Sequence, residues 1–161
     1  MEKSLALNRG IMKFLPLFFI ALSAIGIDQL SKYLIRANME MGQSIPSEGW
    51  IRLTYTTNTG GAFGIFANQN FLLALTAVIA ITILVLYLRY LPAGSTLLTI
   101  GLGLDLGGAV GNLIDRIRFG EVTDFIDAGA WPVFNLADSA IVVGTFFIVY
   151  YLLFSTMRKA G

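Results

Sequence analysis

Three observations predict an all-α membrane fold, a four-transmembrane-helix bundle with a small extracytoplasmic β element between helices 1 and 2. Of 161 residues, 56% are hydrophobic and 13% are charged, about half of the roughly 25% charged share of a soluble domain. Four apolar stretches, at 14–35, 71–90, 96–117 and 135–157, each have the roughly 20 residues that a rise of about 1.5 Å per residue needs to cross a hydrocarbon core of about 30 Å. The segment at 38–69 is too long for a plain connector and carries strand periodicity. A mean hydropathy of +0.74 assigns the apolar surplus to lipid, and residues 1–161 read as a single integral membrane domain.

The first span follows Lys3, Arg9 and Lys13, as a cleavable signal peptide would. Its helical pattern nevertheless runs on through Asp28 and Lys32 to Ile35, so it is read as a retained span. Asp28 and Lys32 stand four residues apart and can pair on one face near the outer end, an anchoring role on spacing alone. In the following loop, Ile51, Leu53 and Tyr55 alternate with Arg52, Thr54 and Thr56, punctuated by Pro46 and by Asn58 to Gly61. The second span is interrupted only by Thr76 and Thr82 and reads as scaffold.

The third span differs. Gly101, Asp105, Gly108, Asn112 and Asp115 recur at spacings of four, three, four and three, which places them on one helical face. Gly103, Gly107 and Gly111 form an adjacent small-residue ridge for close helix packing. Packing explains the glycines but not the acids and the amide, because an ionisable group at mid-bilayer costs at least about 2.5 to 3.5 kcal/mol. The fourth span opens with Pro132, Asn135 and Asp138, a spacing suited to capping the helix start.

Basic residues set the orientation. With the N-terminus inside, Lys3, Arg9, Lys13, Arg89, Arg158 and Lys159 are cytoplasmic, against Arg36, Arg52 and Arg118 in the opposite loops. Both termini are then cytoplasmic.

Eleven Lys and Arg against ten Asp and Glu give a net charge of +1, which leaves no electrostatic footprint for nucleic acid. The chain has no Cys and no His, so thiol nucleophiles, Ser-His-Asp relays and the usual zinc sites are excluded. No cofactor or metal is expected. Hydrolytic chemistry is left to carboxylates, Lys, Ser/Thr or Tyr, and carboxylates have the ready route to peptide hydrolysis, since two that share a proton can serve as base and acid on a water molecule. Asp115, Asp124, Asp127 and Asp138 all fall near the outer ends of spans three and four, and composition does not choose among them.

Five blocks do narrow the choice: D-Q-L-S-K from Asp28 to Lys32, N-T-G-G-A-F-G from Asn58 to Gly64, G-G-A-V-G-N-L-I-D-R from Gly107 to Arg116, V-T-D-F from Val122 to Phe125, and P-V-F-N-L-A-D from Pro132 to Asp138. In order and placement they closely resemble bacterial lipoprotein signal peptidase, the signal peptidase II family. The resemblance implies an aspartyl endopeptidase of the bacterial cytoplasmic (inner) membrane, active at the extracytoplasmic face. It would remove signal peptides from prolipoproteins, cutting before a diacylglyceryl-modified cysteine. It implies Asp124 and Asp138 as the catalytic pair. It places Asn58, Gly60, Asn112, Asp115, Arg116 and Asn135 in the substrate pocket, with Asp28 and Lys32 in support. The implied partners are a lipid-modified prolipoprotein and membrane lipids, with the enzyme monomeric.

Asp105 departs from the family's third helix, and the segment at 128–131 is shorter than usual. Position along the chain suggests a division of labour. Asp138 lies in the first helical turn, where the dipole favours negative charge. Asp124 is expected in a desolvating loop with no donor nearby, so it would hold the shared proton. The rival readings are a small proton- or ion-pathway protein built on Asp105, Asn112 and Asp115, a presenilin-type protease suggested by G-L-G-L-D at Gly101 to Asp105, and a purely structural subunit.

Overall fold

The computed structural model of the chain describes residues 14–60, 69–90 and 95–160. Lys3, Arg9 and Lys13, and the 61–64 part of the N-T-G-G-A-F-G block, lie outside the described residues, as do the side chains of Arg89, Arg158 and Lys159.

Helix α1 spans Leu15–Asn38, α2 Asn70–Tyr87, α3 Thr96–Phe119 and α4 Leu136–Ala160, and all four contain stretches long and apolar enough to cross a membrane. A short 3₁₀ turn, Leu88–Tyr90, extends α2. Three strands form one antiparallel sheet in the order β1 (Ser44–Ile45), β2 (Arg52–Asn58) and β3 (Val122–Asp127).

α3 is the central helix. The N-H of Leu98 caps onto the Ser95 hydroxyl at 3.3 Å, and Gly120, at φ +78°, ends the helix by donating to the Arg116 carbonyl at 3.2 Å. Its glycine ridges face two partners. A Cβ on Gly107 would lie 2.6 Å from the Ala24 side chain of α1. One on Gly108 would lie 2.8 Å from Ile141 of α4 and collide with the Ala137 carbonyl. Three backbones thus approach closely along α3, where van der Waals contact replaces the hydrophobic drive that lipid removes. Leu17, Ala21, Leu98, Leu102 and Leu106 form the apolar core of this packing. α2 buries no residue in the described structure and leans against α3 from one side.

The sheet is built from two separate loops. β1 and β2 come from the long loop after α1, as the alternation predicts, whereas β3 comes from the connection between α3 and α4. The expectation of a loop around Asp124 is therefore corrected. Val122–Asp127 is buried at every position except Ile126, so it shows no period-two signature, and its strand character comes from pairing with β2. The chain then folds back: the N-H groups of Phe125 and Ile126 donate to the Phe134 carbonyl at 3.0 and 2.7 Å. That return sets Asn135 beside Asp124.

Candidate active site

Two carboxylates meet at the end of the bundle where the sheet sits. Asp124 is on β3, and Asp138 is in the first turn of α4. Asn135, completely buried, serves both. Its Nδ2 donates to Asp124 Oδ1 at 2.6 Å, and its Oδ1 accepts from the Asp138 backbone N-H at 2.9 Å. Asp138 Oδ2 in return accepts from the Asn135 backbone N-H at 3.3 Å. This is a reciprocal capping box, as the three-residue spacing predicts.

Each carboxylate has a second amide donor. Asn58 Nδ2 reaches Asp124 Oδ2 at 3.0 Å, and Asn112 Nδ2 reaches Asp138 Oδ1 at 2.7 Å. β2–β3 register explains the first contact: Asn58 pairs with Val122 and Thr56 with Asp124, which makes Asn58 and Asp124 diagonal neighbours on one face. The Gly60 N-H donates to Asn58 Oδ1 at 3.0 Å, and this turns the amide's NH₂ toward the carboxylate. The expectation that Asp124 lacks donors is thus also corrected. The donors lie far away in sequence, at positions 58 and 135. Burial, with the Asp138 charge adding to it, still pushes Asp124 up to about 6, against the lowering effect of the two amides and of Lys32.

Behind the carboxylates lies a buried charged network. Lys32, with no exposed surface, sets its Nζ 2.9 Å from Asp28, 2.9 Å from Asn112 Oδ1 and 3.5 Å from Asp115. Asp28 Oδ1 accepts from the Ala137 N-H at 3.0 Å, so a residue of α1 satisfies one of the open donors at the start of α4. Asp115 accepts from the Thr123 N-H at 3.0 Å and from Gln29 at 3.1 Å, and pairs with Arg36 at 3.6 Å. It ties β3 to both helices. Asp28 and Lys32 exceed the anchoring role that spacing suggests, because their partners come from α3 and α4.

Asp127, one of the four acids composition leaves open, points elsewhere. Arg52 holds it at 2.6 Å and Thr54 at 2.9 Å, while the Gly129 N-H, Thr54 and Arg52 keep it below the usual carboxylate range.

Two adjoining cavities open on Asn112, Arg116 and Asp138. The outer one, about 260 Å³, also takes in Asn58, Asp124, Trp131 and Pro132. The inner one, about 590 Å³, runs between α2 and α3 along Leu73, Ala77, Ile81 and Leu84 down to Asp105. Arg116 Nε is buried without a hydrogen-bond partner, leaving a donor at the junction. Asp115 and Asn135, which the resemblance places in the substrate pocket, line neither cavity, since both are fully buried behind the carboxylates. Among the described residues no group of three acidic side chains converges to hold a metal ion.

A family model described as signal peptidase (SPase) II matches residues 20–154. The chain belongs to the signal peptidase II family. It is 50% identical over 141 residues to a lipoprotein signal peptidase of Moorella thermoacetica, covering 86% of this chain and 93% of that one. A second, from Halothermothrix orenii, is 43% identical over 136 residues, covering 84% and 93%. A bacterial membrane enzyme solved in meso at 2.3 Å superposes with a TM-score of 0.82 at 31% identity, covering 89% of this chain and 90% of that one. A second, solved at 1.9 Å, superposes with a TM-score of 0.76 at 31% identity, covering 85% and 92%. Membership in this signal peptidase family makes the chain a protease and, with its four spanning helices, a multi-pass inner-membrane protein. The ion-pathway reading is not favoured.

Proposed function

We propose that this signal peptidase II is an aspartic endopeptidase whose dyad is Asp124 and Asp138. It removes signal peptides from diacylglyceryl-modified prolipoproteins by cutting before the lipidated cysteine. The observation that carries this reading is that Asn135 joins both carboxylates at the mouth of an apolar groove, its side chain donating to Asp124 and its backbone N-H to Asp138.

Asp138, at the positive end of α4, is the carboxylate that takes a proton from water. Asp124, in its neutral form, donates a hydrogen bond to the scissile carbonyl and passes its proton to the oxygen as hydroxide adds to the carbon. Asp138 then returns its proton to the departing amine, the C-N bond breaks, and the proton gained by the carbonyl oxygen goes back to Asp124. Asn112 and the free Nε of Arg116 hold the substrate backbone. Asn58 and Gly60 set the orientation of Asp124. The groove along α2 takes apolar substrate chains, and Trp50 and Trp131, both exposed, anchor the sheet at the interface. The bias of basic residues puts both termini in the cytoplasm and the dyad at the extracytoplasmic face.

The test is a gel-shift cleavage assay with a diacylglyceryl-modified prolipoprotein and its unmodified counterpart. The modified chain should be cut before the cysteine and the unmodified one spared. Equal rates on both would remove the lipid requirement.

A further inference from the structure

At the dyad's end of the bundle a third cavity, about 360 Å³, shares no lining residue with the other two. Gln29, Tyr33, Arg36 and Ala37 of α1 form one wall, and Arg118 and Phe119 of α3 form the other. Two guanidinium groups approach the Phe119 ring, Arg36 at 4.5 Å and Arg118 at 5.2 Å from its centroid. Arg36 makes its contacts to Thr123, at 2.8 Å, and to Asp115, at 3.6 Å, through Nη1 alone, which leaves further N-H groups for a ligand. Asp115 is the acid that reaches Arg36, and Lys32 already shares it. Arg118 forms no ion pair among the described residues. Positive charge therefore exceeds negative here.

The depth identifies the ligand. α1 and α3 have 24 residues each, about 36 Å of helix against a hydrocarbon core of about 30 Å. Arg36 and Arg118, in their last turns, stand at the level of lipid phosphates. Inward on the same stripe of α1, Gly26 has open space where a Cβ would be, and Leu22 is exposed, so an open apolar helix face continues below the two arginines. We propose that this cavity binds the phosphate of an anionic phospholipid, with an acyl chain along Leu22 and Gly26. A zwitterionic headgroup would bring an ammonium beside two arginines and is disfavoured.

Native mass spectrometry of the detergent-purified full chain with equimolar phosphatidylglycerol and phosphatidylcholine tests this. The wild type should retain phosphatidylglycerol about fivefold over phosphatidylcholine. Arg118→Gln should bring the ratio near unity while cleavage activity reports that the variant is folded. Phe119→Leu, which keeps both charges but removes the ring that both contact, should lower the ratio as well. Gly26→Phe should reduce retention of both lipids by obstructing the chain path. Equal retention of the two lipids by the wild type, or an unchanged preference in folded Arg118→Gln, overturns the proposal. Displacement of phosphatidylglycerol by inorganic phosphate at equal concentration would assign the site to free phosphate and overturn it too.

Discussion

The Asn135 side chain donates to Asp124 at 2.6 Å while its backbone N-H donates to the Asp138 carboxylate at 3.3 Å, so one residue fixes the two carboxylates relative to each other. It does this from full burial. The placement of the two carboxylates is therefore set by a residue with no exposed surface.

Asp124→Asn and Asp138→Asn should each reduce cleavage of a modified prolipoprotein by at least about 10³-fold while the protein remains folded, because a dyad acts as a unit. Asp127→Asn should be mild, since Asp127 is committed to Arg52 and Thr54. The gel-shift assay, with circular dichroism as the folding control, reads all three. An essential Asp127 with a dispensable Asp124 would reverse the assignment.

The shared proton should sit on Asp124. Isotope-edited infrared difference spectra should show a protonated-carboxyl band that is lost in Asp124→Asn and kept in Asp138→Asn. The dyad titrates jointly, so a bulk titration does not locate the proton.

The alkaline limb of kcat/KM should reflect Asp124, pushed up to about 6 by burial and by Asp138. Activity should fall as pH rises through that value, because the proton donor is lost. Asn135→Ala removes a hydrogen bond to the charged form, so the limb should move to higher pH even as kcat drops by about 10²-fold. An unmoved limb would mean that Asn135 acts through packing alone.

Lys32→Met should destabilise the protein by about 3–5 kcal/mol, since it leaves Asp28 and Asp115 buried beside no ammonium. Adding Asp28→Leu should recover part of that loss. Thermal unfolding in detergent should rank wild type above the double variant, and the double variant above Lys32→Met.

Asp105 lies two helical turns inward from Asn112, about 10 Å away along the helix, and contacts Thr145 at 3.4 Å. Asp105→Leu should keep cleavage within about threefold of wild type, a change of about 0.7 kcal/mol in barrier height. Complete loss in a folded variant would place Asp105 in the reaction.

The four helices were legible because lipid imposes length and composition on every span. The capping of Asp138 was legible because Asn135 is three residues away, within one helical turn. What sequence could not give was anything built across the fold. β3 shows no alternation because both of its faces are covered. Asn58 becomes a donor to Asp124 only through a strand register spanning 66 positions. The i,i+4 spacing of Asp28 and Lys32 gave their pairing but not Asn112, Asp115 or the Ala137 N-H, all of which arrive from other helices. Through their described residues, the five sequence blocks join in space as one connected polar network.

The seating of the Ala137 N-H on Asp28 has a consequence for biogenesis. Synthesis runs from the first helix to the last, so a ribosome-bound chain with three spans inserted has Asp28 and Lys32 in place but no Asp138. On the proposed assignment, such a nascent chain holds one carboxylate of the pair at most. The last helix to enter the membrane brings both the second carboxylate and the amide that positions the first. With that assignment, proteolytic competence begins with the closing step of assembly, and chains that stop early leave Asp28 without its backbone donor.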